Sequence, residues 1–537
     1  MNSSDNHWWS SAVYYQIYVR SFADSNGDGI GDLRGIIGKL DYLQWLGVDA
    51  IWLTPCFPSP NKDWGYDVSD FCDIHPDYGT LEDADDLIRQ ANERDIRVLF
   101  DLVPNHTSDQ HEWFLDAKSS RTSEHRNYYV WRDPKPDGSM PNNWLSVFGG
   151  PAWELDENTG QYYLHNFLAE QPDLDWWNDD LHREFEDILR FWFDRGIAGF
   201  RIDVAHGIIK DQTLRDNLPA TEDDPPTVRR IGQRATYSMN QPQVHEIHKR
   251  WRSISSEYDA PDRILVGETW VLELERMAQF YGSGDDELHL AFNFPFIYSE
   301  LDAASMSSIV ETTQSLLPAA AWPAWTGSNH DVGRFPSRWA GGDENRTKCA
   351  LLILLTLRGA PFFYYGDEIG MLDRPMVQHE IKDPVGVTFW PEDAGRDHSR
   401  TPMQWTAGPG AGFTTSDEPW LPIADAEKTN VDSQKGDDES ILGFCKELVH
   451  LRRSEPELKS GRYEALEGPE GAWVYRRGDE TVVAVNLGDA EVTVRGVGGR
   501  IIAATTPTRK DVVESHVRLG PAEGVLVKLD RKELERG

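Results

Sequence analysis

Short apolar runs, each ending in a polar residue, recur along the first two thirds of the chain. They are Val13–Tyr18, Ala50–Thr54, Val98–Val103, Gly199–Asp203, Ile264–Glu268, Leu288–Asn293, Ala324–Asn329 and Phe362–Asp367. Between them apolar residues fall at helical spacing. Leu81–Arg94 follows Thr80, a ready N-cap, and Phe185–Arg195 stops at Gly196. Strands that are apolar on both faces are buried on both faces, and alternation with helices makes their sheet parallel. Eight such runs in about 370 residues predict an α/β fold, a closed (β/α)8 TIM barrel.

Two connections are too long for simple loops of such a barrel. Residues 105–177, rich in Trp, Pro, Gly and Asn, are expected to form a subdomain inserted after the third strand. Residues of about 369–440 are expected to form a lid-like insertion. The barrel is then assigned to 1–104 and 178–455. Alternating segments such as Ala472–Arg476 and Thr481–Asn486 predict a C-terminal antiparallel β-sandwich over 456–537.

Lys and Arg number 53 against 90 Asp and Glu, a net charge of −37. That balance disfavours nucleic acid and anionic membrane as partners and favours a neutral substrate. The four cysteines, Cys56, Cys72, Cys349 and Cys445, are too scattered for a disulfide framework. Met1–Trp9 lacks the apolar core of a secretory signal. The most apolar stretch, Cys349–Phe363, is interrupted by Arg358, Gly359 and Pro361. A cytoplasmic protein is expected; its oligomeric state is left open.

In a barrel of this type chemistry stands at the C-terminal ends of the strands. Here those ends carry Asp101, Asp203, Glu268 and Asp331, the last preceded by His330. One such carboxylate is explained equally well as a helix cap. Several converging on one mouth repel each other, an arrangement that persists mainly where chemistry uses it. Arg201 lies two residues before Asp203 and so on the same strand face, where its guanidinium is expected to keep Asp203 ionised. Trp270 follows Glu268 by two and offers the apolar wall that suits a general acid. Aromatic residues crowd the loops, among them Trp64, Tyr66, Trp131, Trp144 and Trp153. Most are read as the insertion's own core, but aromatic faces also stack on sugar rings. Carboxylates and aromatics at one mouth point to glycoside hydrolysis by two carboxyl groups.

Several stretches carry a resemblance: Asp101-Leu-Val-Pro-Asn105-His106, Gly199-Phe-Arg201-Ile-Asp203, Gly267-Glu268-Thr-Trp and Ser328-Asn-His330-Asp331. With them the chain resembles glycoside hydrolase family 13, the α-amylase family. Gly65-Tyr66-Asp67, Gln171-Pro-Asp-Leu-Asp175 and Arg400-Thr-Pro-Met-Gln-Trp405 resemble its oligo-1,6-glucosidase and α-glucosidase group. The resemblance implies a retaining exo-acting α-glucosidase that removes terminal glucose from short neutral oligosaccharides or α-glucosides. It implies Asp203 as nucleophile, Glu268 as acid/base and Asp331 as transition-state stabiliser. Arg201, His106 and His330 would line the glucose site, Tyr66 would stack under the sugar, and Phe167 would contact it. Asp67 and Arg400 would pair and grip the 4- and 6-hydroxyls. Val204 would sit beside the leaving sugar, where valine resembles enzymes that accept α-1,6 bonds and threonine those restricted to α-1,4.

The stretch Asp24-Ser-Asn26-Gly-Asp28-Gly-Ile30-Gly-Asp32 places oxygen ligands at alternate residues, like the start of an EF-hand loop. It departs at position twelve, which is Gly35. The resemblance implies a structural Ca2+ or Mg2+ held by Asp24, Asn26, Asp28, Ile30 and Asp32. The alternative is a metal-free Asx-rich turn. No organic cofactor is implied. Two other readings share the scaffold: a transglucosylase or sucrose isomerase, and a non-catalytic relative like the ectodomains of amino-acid transporter heavy chains. The retained Asp203, Glu268 and Asp331 weigh against the last.

Overall fold

The computed structural model describes residues 7–506 and 508–530. The expected signal-free N-terminus therefore lies mostly outside the described residues, as does the end of the C-terminal domain from 531. Eight strands run parallel: β1 (Tyr14–Ile17), β2 (Ala50–Leu53), β3 (Arg97–Leu102), β4 (Gly199–Ile202), β5 (Ile264–Gly267), β6 (Leu290–Ala291), β7 (Ala324–Thr326) and β8 (Ala360–Tyr364). They pair in chain order, and a parallel bridge between Phe292 and Ala324 joins β6 to β7 and closes the barrel. Every strand residue but Arg97 is buried, which is why the runs read as continuously apolar. β8 begins two residues before the run read from the sequence and contains Pro361, which faces Trp325 in the ladder.

The helices start where side chains cap them. Thr80 and Asp83 close a capping box on Leu81–Asn92. Asp179–Arg195 begins six residues before Phe185, because its first turn is polar and capped by Asn178; it ends at Gly196 in the left-handed region. The apolar stretch from Cys349 is divided between the buried helix Glu344–Thr356 and β8. No helix among the described residues is long and apolar enough to cross a membrane. That helix packs on the C-terminal domain, where the Thr356 and Tyr475 hydroxyls bond at 2.5 Å.

Within 105–177, Gln161–Leu164 is the centre of a three-stranded antiparallel sheet with Trp131–Arg132 and Trp153–Asp156. Trp144 and Trp153 pack with Val130, Ala152 and Leu164 in a core of its own. The C-terminal domain sets a six-stranded antiparallel sheet against the pair Val492–Arg495 and His516–Leu519, with valines from both layers between them.

Candidate active site

The strand ends bring Arg201, Asp203 and Glu268 together. Nη1 of Arg201 donates to Asp203 Oδ1 at 2.7 Å, and Nη2 donates to Glu268 Oε2 at 2.6 Å. The two carboxyl groups are thus held side by side by one guanidinium. The same guanidinium donates to both oxygens of Asp101, at 2.8 and 3.0 Å, and Trp52 and Tyr66 also donate to Asp101. Asp101 thus anchors Arg201 from behind and does not line the cavity. Burial pushes its carboxyl up to about 7, against the pull of Arg201.

One buried guanidinium is shared by Asp101 and Asp203, both buried, and by Glu268, which is partly exposed. Burial raises Asp203 well above the usual range, Arg201 opposes this, and the Glu268 and Asp101 charges add to it. Arg201 thus favours the Asp203 anion as expected, but it shares its charge with Asp101 and Glu268 and opposes burial rather than overcoming it.

Val204 follows Asp203 with φ +45°, a left-handed conformation that a β-branched residue adopts at a cost of about 1–3 kcal/mol. That conformation goes with a hydrogen bond from its N–H to Glu268 Oε2 at 2.9 Å. Trp270, beyond Glu268, lines the cavity and donates Nε1 to the Tyr298 hydroxyl at 3.1 Å.

Across the cavity, which encloses about 340 Å3, Asp331 accepts from Arg396 at 3.1 Å and from Arg400 at 3.0 Å. Burial alone would raise Asp331, but His330, Arg396 and Arg400 outweigh it and hold the carboxyl below the usual range. The two guanidiniums carry that charge, since burial keeps the His330 ring neutral. Gln16 donates to His330 Nδ1 at 2.7 Å, so Nε2–H faces the Tyr66 hydroxyl at 2.6 Å and Asp331 at 3.2 Å. The Tyr66 and His330 rings lie parallel, 5.3 Å apart.

His106 lines the cavity beside Phe167, ring centres 5.1 Å apart, and burial lowers it to about 4. Tyr66, Val204, Asp203, Glu268 and Asp331 line it too, whereas Arg201, His330 and Arg400 stand behind.

The expected Asp67–Arg400 pair is not formed. Asp67 accepts from Ser59 at 2.8 Å and from the Lys62 and Asp63 amides at 2.8 and 3.0 Å, so it holds its own loop. Arg400 turns instead to Asp331 and the His330 carbonyl. The acid and base that meet at the cavity are Asp63 and Arg396, 2.8 Å apart, with Asp383 also on Arg396. Each lies four residues before the one expected. The sequence offers two acids around Gly65-Tyr66 and two arginines around His398, with no pattern to choose between them. Also unforeseen were Phe148 and His398, while the helix Pro226–Ile231 brings Thr227, Val228 and Ile231 to the cavity wall.

In the Asp24–Asp32 loop, Asp24 accepts from the Asn26 and Gly27 amides, Asn26 from Asp28, and Asp28 from Ile30. These successive Asx turns wind the loop as an alternating oxygen ligand series requires. Gly29, at φ +90°, lies so close to the Glu418 carbonyl that a Cβ would come within 2.2 Å of it. Among the described residues no three His, Cys, Asp or Glu side chains cluster as a metal site, so any ion here would depend on Asn26 and backbone oxygen as well.

Comparison with known proteins agrees with this geometry. The family profile "alpha amylase, catalytic domain" matches residues 16–461, and that of a domain of unknown function, DUF3459, matches residues 459–527. The chain is 41% identical to a probable alpha-glucosidase of Rhizobium meliloti over 508 residues, 91% of each protein. It is 36% identical to an oligo-1,6-glucosidase of Parageobacillus thermoglucosidasius over 97% of this chain and 99% of that one. The solved α-glucosyl transfer enzyme XgtA matches with a TM-score of 0.91 at 36% identity, covering 98% of this chain and all of that one. The isomaltulose synthase SmuA of Protaminobacter rubrum matches at 0.89 and 33%, covering 98% and 99%. With its barrel, its inserted subdomain and its clustered carboxyl groups, the chain belongs to the α-amylase family, glycoside hydrolase family 13.

Proposed function

We propose that the protein is a retaining α-glucosidase that removes the terminal non-reducing glucose of short α-glucosides. The observation that carries this is a single guanidinium joining Asp203 and Glu268 at the end of a cavity walled by Asp63, Arg396 and Asp331. Asp203 attacks C1 while Glu268 delivers its proton to the leaving oxygen, and the C1–oxygen bond breaks. Glu268, now an anion, takes a proton from water, which attacks C1 and releases Asp203. Two inversions retain the α configuration. Sharing one guanidinium favours the spacing of about 5–5.5 Å of a retaining pair over the about 6.5–9.5 Å that an inverting enzyme needs for its water. Asp331, Asp63 and Arg396 hold the glucose hydroxyls, and Tyr66 supports the ring. Arg396 meets three carboxylates, Asp63, Asp331 and Asp383, and this network closes the cavity beyond the glucose, which makes the action exo.

The aglycone side supports a tolerant reading. Val204, Val228, Ile231, Val332 and Val385 face it. The Gln233 amide is committed to Leu145, Asn217 and Asn143, and Arg230 is paired with Asp393. Few polar groups are left to select one leaving sugar. Four scattered free thiols, three of them buried, support a reducing, cytoplasmic setting. The substrate panel that tests the reading is maltose, isomaltose, sucrose, trehalose and an aryl α-glucoside. Release of glucose from at least one is expected; isomerised or transferred products without free glucose would favour the sucrose isomerase or transglucosylase reading, in line with structural relatives named an α-glucosyl transfer enzyme and an isomaltulose synthase.

The Asp24–Asp32 loop is proposed to hold a structural Ca2+ or Mg2+, with Asp24, Asn26, Asp28, Asp32 and the Ile30 carbonyl as ligands. Such an ion would supply loop stability and no chemistry. Chelation is expected to lower Tm more than activity at 25 °C; a Tm unmoved by chelator and by added ion removes the site.

A further inference from the structure

Trp420 belongs to the insertion and does not line the cavity, yet it touches three of the cavity's supports. Its indole Nε1 donates to Ser21 Oγ at 2.9 Å, and the Ser21 hydroxyl in turn donates a hydrogen bond to the Arg400 carbonyl. Its ring stacks on Tyr18, with centres 5.8 Å apart and planes 16° from parallel. Tyr18 in turn lies 5.4 Å under the Arg400 guanidinium and 5.9 Å from the His330 ring. Its third contact is Trp64, 5.3 Å away, with Arg20 lying against both rings at 5.6 and 5.2 Å. Trp64 adopts φ +51°, immediately after Asp63, and is tied to the insertion by Nε1 on the Lys382 carbonyl at 3.1 Å. The backbone of Trp420 is held from the other side, its N–H donating to Gly29 O at 3.0 Å in the Asp24–Asp32 loop.

We infer that Trp420 is a positioning residue for glucose binding, which fixes Arg400 and Asp331 through Ser21 and Tyr18 and fixes Asp63 through Trp64. The geometry carries this because the two arms end on the two carboxylates that flank Arg396, Asp331 and Asp63. A strained backbone such as that of Trp64 persists only where its surroundings over-determine it, and Trp420 is one of the groups packed against its ring. The inference rests on the proposed α-glucosidase reading and adds to it a residue outside the cavity. It also links the Asp24–Asp32 loop to the sugar site by contacts already present in the chain, whatever that loop binds.

The test measures the inhibition constant for glucose, KM and kcat for the best substrate of the panel, and Tm. The variants are Trp420→Phe, Trp420→Leu and Ser21→Ala. Trp405→Phe is the control, since Trp405 lies in the same insertion and bonds the Phe22 carbonyl but touches none of Tyr18, Ser21 or Trp64. Trp420→Phe keeps a ring and loses one hydrogen bond, so glucose inhibition should weaken roughly 3- to 10-fold. Trp420→Leu should weaken it further, Ser21→Ala by about as much as Trp420→Phe, and KM should rise in parallel. Trp405→Phe should lower Tm and leave glucose inhibition within twofold of the wild type. If Trp420→Leu fails to fold, Ser21→Ala and Trp420→Phe decide alone. Glucose inhibition unchanged in Ser21→Ala and Trp420→Phe, with Tm lowered as in the control, overturns the inference and leaves the α-glucosidase reading standing. A wild type that neither hydrolyses an α-glucoside nor binds glucose overturns both.

Discussion

The two ends of the cavity are built differently. At the glucose end, Arg396 reaches Asp63, Asp331 and Asp383, and Arg201 reaches Asp101, Asp203 and Glu268. At the aglycone end a six-residue helix, Pro226–Ile231, contributes no fully buried residue and leans on the insertion through Arg230, which pairs with Asp393 and lies 4.6 Å from the Phe389 ring. A hydroxyl missing or misplaced at the first end leaves buried charges unpaired, which costs far more than a misfit methyl at the second. The contrast implies strict selection for glucose and loose selection for what it is attached to.

The largest effects should come from the glucose end. Asp203→Asn removes the nucleophilic anion and Glu268→Gln the transferable proton, and each should lower kcat by about 10^3-fold or more. Retention of near-normal rates, with contamination excluded, would break the assignment. Next comes the pair at the cavity wall. Asp63→Asn removes a charge-assisted bond to Arg396 and to the sugar, and should cost about 10- to 100-fold in kcat/KM. Asp67→Asn should cost less there and appear mainly in Tm, because Asp67 holds its own loop. The reverse order would restore the pairing that the sequence suggested.

The glucose end was the legible one. Arg201, Asp203 and Glu268 sit in or directly after strands fixed by runs of buried apolar residues, so the barrel's own geometry aims them, and Asp331 follows β7 by five residues. The Asp63–Arg396 pair was not legible, since loop conformation decides which of two acids and which of two arginines turns inward. Trp64 at φ +51° beside Asp63 shows how irregular that loop is. The aglycone wall was less legible still: Pro226–Ile231 lies in a long connection with weak periodicity. The closed barrel and the two-layered C-terminal domain were read correctly because periods of burial are long-range features. The short helices of the 369–440 insertion follow local turns.

The smaller predictions sharpen the contrast. The nucleophile must be an anion, so activity is lost as pH falls through the titration of Asp203, which burial and the neighbouring carboxyl charges raise. Asp101→Asn removes one of those raising charges. The acid limb of kcat/KM should therefore move to lower pH; a limb that stays or moves upward would separate Asp101 from the nucleophile. At the aglycone end, Val204→Thr exchanges a methyl for a hydroxyl, worth at most about 1–3 kcal/mol of discrimination. The isomaltose-to-maltose ratio of kcat/KM should fall. An unchanged ratio would assign linkage preference to Thr227, Val228 and Ile231.

The central claim is double displacement through Asp203, and the anomer first released tests it most directly. Proton NMR during the first turnovers on an aryl α-glucoside should show α-glucose appearing before mutarotation builds up the β form. β-Glucose as the first product would contradict the account, since a single displacement cannot pass through a glucosyl ester on Asp203.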